Sequence, residues 1–175
     1  MEKETHTCAI ARTLSFFGDK WSLLILRDII LHKKARFKDF RGSKEKIASN
    51  ILTNRLKALL KEGFIEVLNP LGTKKSTQYI ATSKGLETLP LLIEMYLFSI
   101  HSIDESALDE CQIGIKNAIL KNRKLFQKKK TKEYLNFILE LRKGLLPIRK
   151  TNAFLYRSDS QKVKKHLSPE TATIP

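Results

Sequence analysis

Cysteine is scarce in this 175-residue chain: Cys8 and Cys111 are the only two, far apart, and too few for a disulfide framework. Long hydrophobic runs are missing. The most apolar stretch, "LPLLIEMYLFSI", is too short to span a bilayer and contains Glu94. The opening "MEKETHTCAIARTLSFFGDKW" has mixed charges and an apolar part interrupted by Arg12 and Thr13, unlike a secretory signal. A cytoplasmic location is the expectation. No glycine-rich phosphate loop, catalytic pair of carboxylates or nucleophile–base pairing stands out, which argues against an enzyme. "HTC" at 6–8 offers two metal ligands, but His32, His101 and His166 are scattered and supply no second pair. Neither a metal nor another cofactor is expected, and there is no internal repeat.

Acidic residues are also few. The 33 Lys and Arg face 18 Asp and Glu, a formal charge of +15. A solvated surface needs charge but not charge of one sign, so an anionic partner is implied. Nucleic acid comes first and a membrane surface second. With 42% hydrophobic residues the chain can bury a core.

Residues 7–17 read as a short amphipathic helix ending at Gly18, and Asp19 can cap a second helix, "KWSLLILRDIILHK". That helix is apolar around most of its girth and belongs at the centre of the core, with Trp21 as an anchor. "ARFKDF" gives a short extended piece and the start of a third helix, followed by the loop "RGSKEK". "SNILTNRLKALLKEGFIE" is the fourth helix, stopped at Gly63. "FIEVL" and "TQYIAT" read as strands around a lysine-bearing tip, "NPLGTKKS". Thr82 caps a helix through "SKGLETLPLLIEMYLFSIHS", with Pro90 kinking it or setting its local geometry. The fold class is mainly α (α+β): a winged helix-turn-helix over 1–103 with a two-stranded wing, then a C-terminal helical extension over 104–149. Residues 150–175 have little periodicity and read as a loose tail.

The fourth helix has two faces. At about 100° per residue, Leu52, Leu56, Leu59 and Leu60 share one arc, while Asn50, Thr53, Asn54, Lys57 and Lys61 share the opposite one. In a helix-turn-helix the recognition helix lies in the DNA major groove. Asn can bond adenine through two atoms, Thr can bond or pack on thymine, and Lys reaches guanine or phosphate. Such a face is often merely solvated; the order of elements, the basic tip and the net charge together favour groove contact. The candidate DNA-binding residues are Arg36, Lys38, Lys46, Ser49, Asn50, Thr53, Asn54, Arg55, Lys57, and Lys74 and Lys75 of the wing at 69–76, with Arg41 and Lys44 nearby. Arg55, on the helix flank, either reaches a phosphate or pairs with an acidic group such as Asp39.

"CAIARTLSFFGDKWSLLILRDIILHKKARFKDF", "IASNILTNRLKALLKEGFI" and "YIATSKGLETLPLL" together resemble the HxlR family of bacterial winged helix-turn-helix transcription regulators, relatives of the MarR group. The matching positions are Cys8, Gly18, Lys20, Trp21, Leu26, Arg27, Arg36, Phe37, Phe40, 52–59, 63–65, Tyr79, Thr82 and Gly85. The resemblance implies a homodimer packed through the first and last helices of the core, with paired recognition helices on a promoter operator. It implies repression or activation of neighbouring genes, and in several members a redox or electrophile switch at the N-terminal cysteine, here Cys8. The bland alternative for Cys8 is an inert, half-buried helix residue; Cys111 reads as core. This chain departs from the pattern at Ala48, where a capping Ser is usual and Ser49 stands next in line, and at Ala9, where Pro is common. The resemblance ends near residue 105 and is silent on the rest.

Beyond it, "DESALDECQIGIKNAILKNRKLFQKKK" and "TKEYLNFILELRKG" read as two more helices, closed by Gly144 and Pro147. The basic run 121–132 is either a flanking-DNA contact or a solvated face, with Ile115, Ile119 and Phe126 turned inward. The added helices could pack on the core, dimerise, or enlarge a pocket for an unknown effector. The competing function is a basic peripheral membrane or scaffold protein.

Overall fold

A computed structural model of the protein describes residues 8–70 and 76–145. Its order is α1 (Ala9–Phe17), α2 (Lys20–Ile30), α3 (Phe37–Arg41), α4 (Ser49–Lys61), β1 (Ile65–Val67), β2 (Tyr79–Ala81), α5 (Ser83–Leu86), α6 (Leu89–Ile100), a 3-10 turn (Glu105–Ala107), α7 (Glu110–Lys121) and α8 (Arg123–Leu145). This is a winged helix-turn-helix, mainly helical with one two-stranded antiparallel sheet, as the sequence suggests. The wing tip with Lys74 and Lys75, Pro147 and the tail from 150 lie outside the described residues.

Asp19 starts α2 as expected, its carboxylate accepting from Trp21 N at 2.9 Å and Ser22 N at 3.0 Å. Ile25, Leu26, Ile29 and Ile30 are buried, and α2 packs against α1, α4, β2 and α6, which makes it the axis of the core. Trp21 is only half-buried; Lys20 Nζ lies 4.6 Å from its ring centroid. It stands at the rim, because the inward face of α2 is filled by aliphatic side chains. Within the core Phe17 and Phe64 pack with the half-buried Phe16 as an aromatic cluster, with centroids 5.7 Å (Phe16–Phe64) and 4.8 Å (Phe17–Phe64) apart.

The wing starts where Gly63 adopts φ +72°, a left-handed conformation that suits glycine and turns the chain out of α4. β1 and β2 pair antiparallel with Glu66 opposite Ile80. Leu68 N donates to Gln78 O and Thr82 N to Phe64 O, so the N–H groups of 78 and 82 face β1. Those of 79 and 81 therefore face the outer edge of β2. Tyr79 N donates to Ala35 O at 2.7 Å, and Ala81 N donates to the hydroxyl of Tyr134 at 2.6 Å. An edge that would otherwise be bare is closed by Ala35 at one end and by α8 at the other.

The single helix expected after Thr82 is two. Thr82 caps α5, accepting from Gly85 N, and the chain restarts at Leu89 with Pro90 in the first turn of α6. Proline lacks the N–H that a first turn leaves unused, so it begins a helix more readily than it kinks one. Gly85 has no alternative: a Cβ there would sit 2.1 Å from Phe64 O.

The extension divides at a different place from the one its sequence suggests. Asp109 caps α7 in a capping box with Gln112. α7 ends at Asn122, whose side chain accepts from Leu125 N at 2.9 Å and opens α8. α8 then runs unbroken through Lys130, Thr131 and Gly144, so the two helices meet at Asn122, inside the basic run, and most of that run lies on the first turns of α8. Tyr134 is fully buried, Ile119 is 2% exposed, and Tyr96 Oη donates to Gln112 O at 2.8 Å. Arg123 pairs with Glu94. The described residues up to Leu139 form one compact unit; Glu140–Leu145 belong to a second, in which Lys143 pairs with Glu140 at 2.7 Å.

Candidate nucleic-acid interface

α4 holds its two faces apart as the periodicity requires. Leu52, Leu56 and Leu59 are 0–2% exposed. Each such burial contributes roughly 1.5–3 kcal/mol relative to exposure, ample to fix the helix rotation. Asn50, Thr53, Asn54, Lys57 and Lys61 are consequently exposed together.

Hydrogen bonding separates these side chains. Thr53 Oγ1 donates to Ser49 O at 2.8 Å, leaving its methyl and one acceptor site outward. Asn50 Oδ1 accepts from Ile51 N at 2.9 Å, so its amide oxygen is already engaged. Asn54 and Lys57 have no partner among the described residues. A side-chain amide with both its donor and its acceptor open is what two-point recognition of adenine needs. Asn54 is thus the better equipped of the two asparagines.

The start of α4 has no side-chain cap at Ala48, and Ser49 is its first helical residue. Ser49 does not replace the missing cap; Asn50, satisfying an orphan N–H one residue on, does part of that work. Upstream, Arg36, Lys38, Arg41, Lys44 and Lys46 are all exposed and lack partners among the described residues. Asp39 bonds the Arg36 backbone N–H at 3.0 Å, which leaves the guanidinium uncommitted. Lys46 sits at φ +51°, a strained conformation for a lysine, in the turn that sets the angle of α4. Arg55 pairs with an acidic group, but with Asp19 at 3.2 Å and not Asp39, so its flank of α4 is tied to the start of α2.

An ionic cluster built around the buried Asp28 braces the turn. Asp28, 3% exposed, accepts from Arg27 Nη2 at 2.7 Å, from Lys34 Nζ at 2.9 Å, and from the Ser43 hydroxyl. Arg27 also makes two bonds to Glu45, at 2.7 and 3.1 Å. Those bonds hold the Glu45 carboxyl at about 2, below its ordinary 4.5. Burial pushes Asp28 upward, but the bonds from Lys34, Ser43 and Arg27 outweigh it and its pKa is lowered. The cluster ties the end of α2 to the α3–α4 turn. In the sequence Asp28 looks like one more position of an apolar stripe; its placement among buried positions was the available signal.

Cys8 is exposed at the start of α1, not half-buried, and Cys111 is exposed, not core; both are free thiols. Among the described residues no helix is long and apolar enough to cross a membrane.

The model of the HxlR-like helix-turn-helix family matches residues 16–107. An uncharacterised HTH-type transcriptional regulator of Bacillus subtilis (strain 168), YdeP, is 33% identical over 90 residues, covering 50% of this chain and 68% of that one. A second from the same organism, YdzF, is 29% identical over 83 residues, 47% of this chain and 76% of that one. The crystal structure of PA1607, described as a candidate transcription factor, superposes with a TM-score of 0.53 at 29% identity, covering 61% of this chain and 72% of that one. The exposed polar face of α4, the wing behind it and these likenesses converge: the chain belongs to the HxlR-like helix-turn-helix family of DNA-binding transcriptional regulators.

Proposed function

We propose that the protein is a homodimeric, sequence-specific regulator that lays α4 in the major groove. Asn54 reads a base edge, Lys57 reads a base or phosphate, and Arg36, Lys38, Arg41, Lys44 and Lys46 hold the backbone. The observation that carries this reading is the open amide of Asn54 beside Lys57 on a leucine-anchored helix, bordered by five uncommitted cations. Thr53 adds its methyl, which suits thymine, and Ser49 and Asn50 lie at the end of the helix that enters the groove first. Lys74 and Lys75 belong to the proposed footprint by sequence alone. Arg55 contributes by holding α4 against Asp19.

A second copy of the chain is the proposed cover for two apolar patches. On α1, Ile10 is 71% and Leu14 58% exposed, one turn apart; on α6, Met95 is 47% and Phe98 82% exposed. Side chains of this size left bare on the first and last helices of the winged domain fit burial across a two-fold axis.

The test is selection of bound duplexes from random-sequence DNA, followed by binding of the enriched sequence to variants. Asn54→Ala removes a two-point contact of about 1–3 kcal/mol, a loss of roughly 5- to 150-fold, and relaxes preference at one base pair. Lys57→Ala weakens binding as well. Wild-type affinity in both variants, with circular dichroism unchanged, refutes the assignment of α4. A Leu14→Glu, Phe98→Glu double variant sedimenting as a monomer supports the dimer, and one still sedimenting as a dimer refutes these faces.

A further inference from the structure

A second concavity lies away from α4's polar face. It encloses about 660 Å³ between the end of α2, the α3–α4 turn, α6, α7 and α8. That size falls within the range of small-molecule sites. Its body is apolar: Leu31, Leu92, Ile93, Ile115, Ile119 and Phe126. Three of these stand on α7 and α8, beyond the last residue matched by the family model, so the added helices supply half of that apolar lining.

The polar end is charged unevenly. Its carboxylates, Asp28 and Glu45, are both saturated, the first by Arg27, Lys34 and Ser43 and the second by the Arg27 fork. Its cations are Arg27, Lys34, Lys44 and Lys130, two more than the carboxylates. Lys130 is shared with Glu133 outside the cavity at 3.1 Å, while Lys44 has no partner among the described residues. An apolar chamber that ends in uncompensated positive charge is complementary to one kind of molecule.

We infer that this cavity binds a small organic acid with an apolar body, its carboxylate set against Lys44, and that its occupation weakens DNA binding. Lys44 and Glu45 lie in the turn that leads directly into α4, and Arg27 holds that turn through Glu45. A carboxylate beside Lys44 cancels charge that otherwise meets phosphate and competes with Glu45 for Arg27. The coupling is reciprocal, so DNA should also weaken the acid's binding. The site does not depend on the DNA reading and is tested without DNA.

Decanoate is the probe, with decyltrimethylammonium as a counterpart of similar length and opposite charge, both titrated calorimetrically into the full-length protein. Decanoate should bind at one site per chain, at least tenfold more tightly than the cation. Ile115→Trp, which fills the chamber, should weaken decanoate at least tenfold, and Lys44→Glu at least fivefold. Cys111 lines the cavity and Cys8 does not. Saturating decanoate should therefore slow alkylation of Cys111 by iodoacetamide at least fivefold, read by peptide mass spectrometry, and leave Cys8 unchanged. Equal binding of the two amphiphiles, or unprotected Cys111, overturns the site. If Ile115→Trp loses its helical circular dichroism, Lys44→Glu decides alone, and parental decanoate affinity in it overturns the site. For the regulatory half, saturating decanoate should weaken binding of the selected duplex at least fivefold; an effect under twofold overturns it.

Discussion

Replacing Tyr134 by Phe removes one oxygen from α8 and leaves the packing of the ring intact. That oxygen accepts the outward N–H of Ala81, and Tyr134 is fully buried, so no solvent takes its place. A buried donor left without an acceptor costs about 1–3 kcal/mol. For a unit of this size each kcal/mol shifts Tm by about 4 °C, so Tm should fall by about 4–12 °C. The measurement is thermal unfolding followed by circular dichroism, together with hydrogen exchange of the Ala81 amide. A single cooperative transition should move to lower temperature, and the Ala81 amide should lose protection beyond that of its neighbour Ile80. Through Tyr134 the first part of α8 is built into the winged domain. That arrangement is refuted if Tm changes by less than 1 °C, or if two separate transitions appear and only one of them shifts.

Lys46→Asn suits the left-handed backbone at that position, so stability should change by less than about 0.5 kcal/mol. The slope of log affinity against log salt for DNA should nevertheless shrink by about 0.9, as expected when one phosphate is no longer neutralised; an unchanged slope removes Lys46 from the interface. Glu45 and Asp28 both have lowered pKa values in the folded protein, so their contribution is present above the unfolded pKa and lost as pH falls through the folded one. Thermal stability should hold from pH 7 to about 5 and then decline from about 4.5 towards 2, with Glu45→Gln flattening part of that decline. A Glu45→Gln profile superimposable on the parent's would contradict the Arg27 bonds. Cys8→Ser should bind DNA normally under reducing conditions but resist release by diamide; release as in the parent rules out Cys8 as a thiol switch.

Local rules carried the fold a long way. The Asp19 cap, the leucine face of α4 and the turn at Gly63 depend on near neighbours, and each stands where its short pattern puts it. What stayed hidden depends on distant partners. Nothing near Arg55 names Asp19 as its mate, and nothing near Tyr134 points to Ala81. Cys111 reads as core because cysteine is usually buried, yet its side of α7 opens onto the cavity. Asn122 opens α8 in the way a helix cap does, but it is easily passed over inside a long charged run with helical propensity on both sides. Within the candidate site, residue types were legible and their availability was not: only hydrogen bonds set Asn54 apart from Asn50.

The clearance at Gly85 has a mechanical consequence. Because Phe64 O fills the space any side chain would need, the link from the wing to α6 rests on a stop made of main chain. α6 carries Phe98, so in the proposed pair this stop would act as a gauge, fixing how far apart the two reading heads stand and hence which half-site spacing an operator must have.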